Sequence, residues 1–435
     1  MRKIFILLMT VGIVAALLLG CMPGAPAPPV TPPVTPPVTP PVEPPPPQKV
    51  VKVGFLVPLS GDVAAWGLPG LYGAQLWEEE VNAAGGIQVG DEKYKVEIIP
   101  YDHEYVASKA VLGARKLVLE DKVSVVHLMG GVDILATQPF LTEQKMLSLT
   151  LVPGDITPDM PYLLALSEAW PMYMPGGKEY ILEQYPEIET VAICSQDDPL
   201  GLMGLAWSEA LYEASDIEIV YHKVFGVETT DFAPIVTAML ASGADLMDWG
   251  ESYPVYNTLL TEQAYLQGWE GPLIAMELLM DPILAKVPAE WLEGAVSYQA
   301  DWDDPRLSED CHDFYAEYIS RWPEAWGAVS WEYRASLKAW QYGVEQAGSI
   351  EPMAVLEVLR AAEALPHPYG DGPLAGEELL GINSWLAAPW PVTEVRDGKH
   401  TIVDMRSFSD WFADKHNRDI LLRVLEEHGL LYWQQ

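Results

Sequence analysis

Acidic side chains dominate the residues able to do chemistry here: 62 Asp and Glu stand against 25 Lys and Arg, a formal net charge of -37 over 435 residues. Their spacing matches no catalytic pattern. There is no Gly-x-Gly-x-x-Gly after a strand, no phosphate-binding Gly-Lys-Ser/Thr loop, no His-Glu-x-x-His and no Gly-x-Ser-x-Gly elbow. The eight histidines are scattered without metal-ligand spacing, so no metal site and no cofactor is expected, and His103 and His127 read as structural or exposed. At this acid content, pairs such as Asp197-Asp198 and Asp303-Asp304 arise easily and single out no acid/base couple. What remains is binding chemistry, carried by loops that follow short apolar runs. These loops offer Ser60 and Trp66; Gly131, Val132 and Asp133; Gly154, Asp155 and Ile156; Leu200; Glu251, Ser252 and Tyr253; and Glu277. Glycine lets a ligand approach the backbone closely, and a helix starting near Asp133 would point amide donors into such a site. The alternative for Asp133 and Asp155 is that they only cap helix or turn amides.

The elements that would position these loops alternate. Val51 to Val57 is a β-branched run ending at Pro58, and helical spacing resumes from Pro69 with Gly85-Gly86 as its stop. Strands at 96–100, 123–129 and 147–152 alternate with helices at 107–119 and 133–144. A second series follows Trp170, with strands at 190–195, 218–224, 245–249 and 272–276 among helices at 177–185, 201–214, 232–242 and 256–267. Two tandem α/β units of this kind predict doubly wound, mostly parallel sheets flanked by helices, with ligands at the carboxyl ends of the strands.

Pro58-Leu59-Ser60-Gly61, Ala65-Trp66-Gly67, Gly73-Ala74 and Val81-Asn82-Ala83-Ala84-Gly85-Gly86-Ile87 resemble the opening of the Leu/Ile/Val-type solute-binding proteins of ABC transporters. The resemblance continues through Ala110 to Leu119, Pro153-Gly154, Asp231-Phe232, Asp281-Pro282 and Glu293-Gly294 to Val395-Arg396-Asp397-Gly398-Lys399. It implies a two-lobed type I periplasmic binding protein with a three-strand hinge. Crossings are then expected near Leu166 to Pro171, Tyr298 to Trp302 and Pro366 to Asp371. Lobe one would comprise 50–166 plus 302–366, lobe two 167–301 plus 367–405, and residues 406–435 a tail packed on lobe two. The implied function is capture of a small organic molecule by lobe closure and delivery to an ABC permease, with a tethered sensor domain as the alternative. The protein would be monomeric. The resemblance also implies that Trp66 stacks on the ligand and that Glu277 takes a ligand ammonium. Amino-acid-binding relatives present hydroxyls to the ligand carboxylate where this chain has Gly131, Asp133, Asp155 and Ile156, so an amine, amide or similar ligand is expected before leucine.

The same charge excludes nucleic acid, because phosphate binding needs clustered cations. Arg2-Lys3, the apolar run Ile4 to Leu19 and Gly20-Cys21 resemble a bacterial lipoprotein signal over 1–20, making Cys21 the lipid-bearing residue that holds the protein to the bilayer. Residues 21–49 are rich in Pro, Val and Thr and predict an extended spacer. Cys194 and Cys311 read as buried small hydrophobes, with a disulfide between them the alternative.

Overall fold

The computed structural model describes residues 49–431 apart from position 62; the expected signal, Cys21 and most of the spacer lie outside the described residues. Two sheets carry the fold. The first has eight strands in the order Leu374–Ala375, Trp385–Leu386, Leu163–Ala165, Ser148–Thr150, Val125–Leu128, Val50–Val57, Glu92–Asp102, Ile87–Val89. Val50–Val57 is central because it is buried on both faces. It pairs in parallel with Glu92–Asp102 and with Val125–Leu128, and a strand shielded twice must be almost wholly apolar. The second has seven strands in the order Lys399–Arg406, Trp390–Arg396, Val296–Ser297, Leu273–Ile274, Leu246–Asp248, Thr190–Gln196, Glu218–Phe225. This is the α/β architecture expected from the alternating pattern.

The chain passes between the sheets three times: after Ala165, after Ser297 and between Leu386 and Trp390. The third passage corrects the expectation at Pro366–Asp371. Trp385 pairs with Ala165 and Leu374 with Leu386, so the segment up to Leu386 belongs to the first sheet, not to lobe two. The edge strands there are only two residues long, too short to leave a period-two signal.

An aromatic column fills the hinge. Trp302 meets Trp331 at 5.1 Å, Trp331 meets Tyr369 at 5.0 Å, and Tyr369 meets Trp390 at 5.0 Å. Tyr173 continues it, 5.4 Å from Trp390 and 4.7 Å from Tyr298. All six rings are buried, and together they draw on all three passages and on the long helix Ala328–Ala347. Offset and edge contacts of this kind add roughly 0.5–1.5 kcal/mol per pair beyond area burial.

The tail forms two helices, Phe408–Ala413 and Lys415–Glu427. The second starts where it does because the Asp414 carboxylate accepts from the amides of His416 and Asn417 at 2.8 and 3.3 Å. It buries Leu421, Val424 and Leu425 against the lobe-two helix Pro199–Ala214, roughly 1.5–3 kcal/mol for each such side chain. The expected packing on lobe two is only half of the arrangement. Phe408 lies 5.8 Å from Trp207 in lobe two and 5.7 Å from Trp385 on the first sheet, and Arg418 reaches Glu378 at 3.5 Å.

Candidate binding cleft

The loops after the parallel strands of the two sheets face one another. At the mouth, Trp66 from the 3-10 turn Ala64–Trp66 meets Tyr253 of lobe two with ring centroids 6.0 Å apart. The Tyr333 hydroxyl donates to the Trp66 carbonyl at 3.1 Å and fixes that turn. Tyr253 is held from behind by its own amide, which donates to Gln196 Oε1 at 2.9 Å. Tyr105 completes the rim, its hydroxyl accepting from the Val132 amide.

Several expected contacts are structural instead. Asp133 is fully buried, with one oxygen accepting from the Met129 amide and the other from the Gly130 amide, each at 2.9 Å, and His103 Nε2 lies 3.3 Å away. The capping alternative therefore holds for Asp133, and it does not face a ligand. Ile156, 1% exposed, belongs to the apolar core. Gly154 is buried beneath Trp170 and Met203, where a Cβ would come within 3.1 and 3.0 Å of them. Ser60 is exposed and donates to Asp102 Oδ2 at 2.5 Å. Leu200 sits half-buried in the first turn of Pro199–Ala214, packed against the core. Ser252 is fully buried, and so is Glu251, which accepts from Trp170 Nε1 at 3.1 Å and from the Tyr173 hydroxyl at 3.3 Å. Burial pushes the Glu251 carboxyl up to about 8 against the pull of Lys178, so it stands mostly neutral and holds Trp170 in place. Gly131 adopts φ +66°, a conformation glycine takes without penalty, and its amide donates to Asp155 Oδ2 at 2.6 Å.

Two of the expected acids keep partial exposure. Asp155 is half-buried, and burial raises its carboxyl to about 6. Glu277, half-buried after the strand Leu273–Ile274, is raised to about 7 by burial and by the neighbouring charge of Glu168. Glu168, in the first passage, accepts through Oε1 from the amides of Ala169 and Trp170 at 2.7 and 2.9 Å and shares a hydrogen bond with Glu332. Glu332 is 1% exposed, and burial followed by Glu168 holds it well above the usual carboxylate range. Two facing carboxyls bond only if one keeps its proton, so this pair shares one.

No protein cation answers these acids. Among the described residues the buried cations are Lys178 and Arg334. Lys178 pairs with Asp248, and Arg334 with Asp310 and Glu80 at 2.8 Å each. Cys194 and Cys311 are both free and buried, so the disulfide alternative does not hold.

A two-sheet body joined by three passages is the frame within which the sequence finds its relatives. The periplasmic binding protein family model matches residues 50–399. The chain belongs to that family. Its curated relatives include a Leu/Ile/Val-binding protein homolog 1 of Brucella suis, 24% identical over 335 residues that make up 74% of this chain and 85% of that one. The Leu/Ile/Val-binding protein of Citrobacter freundii is 24% identical over 354 residues, 78% of this chain and 92% of that one. Among solved structures, an ABC transporter substrate-binding protein from Sphaerobacter thermophilus superposes with a TM-score of 0.70 at 20% identity, covering 82% of this chain and 98% of that one. The branched-chain amino acid binding protein LivJ from Streptococcus pneumoniae, in complex with isoleucine, gives 0.67 at 18% identity, covering 82% and 100%. A solute-binding protein from Rhodopseudomonas palustris, in complex with 3,4-dihydroxybenzoic acid, gives 0.68 at 18% identity, covering 82% and 97%. The family consists of binding proteins, not enzymes. Its fold covers the cleft and hinge, whereas the two tail helices lie beyond the matched residues.

Sequence reasoning passed over Glu168, Glu332, Tyr105 and Trp170. A signal for Glu332 was present. It falls on a helix face that also carries Val329, Ala335 and Ala339, and an acid on such a face asks for a partner.

Proposed function

We propose that this chain is the solute-binding component of an ABC importer, held to the outer face of the membrane through an acylated Cys21, and that its cleft captures a small organic molecule by an amine. One observation carries the ligand class: Glu168, Glu277 and Glu332 gather at the inner end of the cleft with no protein cation among them. Buried like charges are costly unless neutralised, and a ligand ammonium is the missing counter-charge. An anionic ligand would meet repulsion in the same place. Trp66 and Tyr253 form a rim that an apolar or alkylated group can lie against. Capture works by differential affinity: a ligand bridging residues of both lobes binds the closed arrangement better and shifts the population toward it. A thermal-shift screen of amines, amides, amino acids and dicarboxylates tests the reading, since a ligand selective for the native state raises Tm. Stabilisation by amines and none by dicarboxylates is expected; the reverse order sinks the amine assignment.

A further inference from the structure

The two tail helices, Phe408–Ala413 and Lys415–Glu427, follow the residues that the family model matches, and they touch both halves of the molecule. Their hold on the second-sheet half is broad. Arg406, just before the tail, pairs with Glu183 of the helix Met174–Gln184 at 2.6 Å. At the far end Arg423 pairs with Glu213, and His428 Nε2 stands 2.7 Å from Glu209, both acids lying on the helix Pro199–Ala214. Leu421, Val424 and Leu425 are buried against that same helix.

The grip on the first-sheet half centres on Phe408 and Arg418. The buried Phe408 ring lies 5.7 Å from Trp385 of the first sheet and 5.8 Å from Trp207 of the second-sheet half. Arg418 reaches Glu378 at 3.5 Å, on the short helix Glu377–Leu380 that joins the first-sheet strands Leu374–Ala375 and Trp385–Leu386. Halves and tail also share one apolar pocket, lined by Gly154 and Leu380 from the first half, Met203 and Trp207 from the second, and Leu425 and Leu431 from the tail. Gly154 follows the carboxyl end of Ser148–Thr150, and Met203 sits early in the helix that follows Thr190–Gln196. The seam therefore stands at the strand ends that bound the cleft, where a parting of the two sheets would open it.

We propose that the tail is a clasp: anchored on the second-sheet half, it holds the first-sheet half through Phe408 and Arg418 and biases the free protein toward the closed arrangement of its lobes. An opening that draws Trp385 and Glu378 away from the tail loses apolar burial and an ion pair, which lowers the share of open molecules before any ligand arrives. Capture then carries a smaller conformational cost, because apparent affinity scales with the fraction that is competent to bind. The inference rests on the lobe closure put forward above and not on the chemistry of the ligand.

Pulsed electron spin resonance on the ligand-free full chain, carrying Cys21→Ser, tests this with spin labels on Leu135→Cys and Val255→Cys. These positions are 71% and 55% exposed, on helices that follow a first-sheet and a second-sheet strand at the cleft, whereas Cys194 and Cys311 are buried away from the label. Arg418→Glu is expected to raise the ratio of long to short distances about twofold to fivefold, the worth of an exposed ion pair. Adding Glu378→Arg should bring the ratio back, a rescue that general loss of stability would not produce. Phe408→Ala should raise it about tenfold or more. If two distances are present and their ratio is the same in all variants, the clasp is overturned and lobe motion stands. If Arg418→Glu raises the ratio and Glu378→Arg leaves it raised, the clasp is likewise overturned, since the contact is then not the cause. One unchanging distance in the parent and every variant overturns both the clasp and the closure on which it rests.

Discussion

Replacing Glu277 by Gln removes one negative charge from the inner wall of the cleft and leaves its shape almost unchanged. Burial and the Glu168 charge push the Glu277 carboxyl from 4.5 up to about 7. That rise corresponds to about 3 kcal/mol at most, reduced because Glu277 keeps partial solvent contact. A bound ammonium returns this energy by favouring the carboxylate, so binding releases a proton wherever the free site is protonated. The direction follows: amine affinity rises with pH up to about 7 and levels off above it, with a slope below that approaching tenfold per pH unit. Glu168 is raised in the same sense and adds to the slope. Losing the charge-assisted contact should weaken an amine about tenfold to a hundredfold at pH 8, and flatten the pH dependence. Calorimetry in two buffers of different ionisation enthalpy counts the released protons directly. A dissociation constant constant from pH 5.5 to 8, together with affinity unchanged in Glu277→Gln, would refute the placement of this carboxylate against the ligand.

Three further outcomes are expected. Glu332→Gln should raise Tm, and raise it more at pH 8 than at pH 5: a buried acid with an elevated folded pKa contributes fully below 4.5 and loses stability as pH climbs toward the folded value, a loss the amide escapes. Differential scanning at the two pH values checks this, and an equal change at both would contradict it. Leu421→Ala, at a fully buried tail position, should cost about 2–5 kcal/mol in chemical denaturation, whereas a loosely attached tail would show almost none. Cys21→Ser should move the folded protein from the membrane to the soluble fraction with ligand affinity intact; a variant that stays membrane-bound at full-length mass would end the lipid-anchor reading.

The alternating strands and helices were readable because their core positions keep a strict period. Val50–Val57, buried on both faces, and Pro199–Ala214, begun by its Asp198 cap, are written plainly into the chain. The loops were located correctly for the same reason, since each follows a strand. Which side chain in a loop turns toward the cleft was not readable, as Asp133 and Asp155 illustrate. Both are acids beside glycines, yet Asp133 folds back on amides three and four residues away, and Asp155 reaches an amide 24 residues away. The Glu168–Glu332 pair was beyond reach because its members are far apart in sequence and meet only once the hinge is assembled. The third passage was misplaced because two-residue strands carry no period.

The aromatic column gives the protein a built-in optical gauge. Trp331 on the long helix and Trp390 at the start of a second-sheet strand stand 5.8 Å apart, so under the proposed closure any parting of the two sheets at this seam would change their separation. Exciton coupling between indoles falls steeply with separation and angle, which places a report of the lobe angle in the near-ultraviolet circular dichroism of the unlabelled protein. The proposed capture and release would then be followed in real time without a dye, on a body that no fluorophore has perturbed.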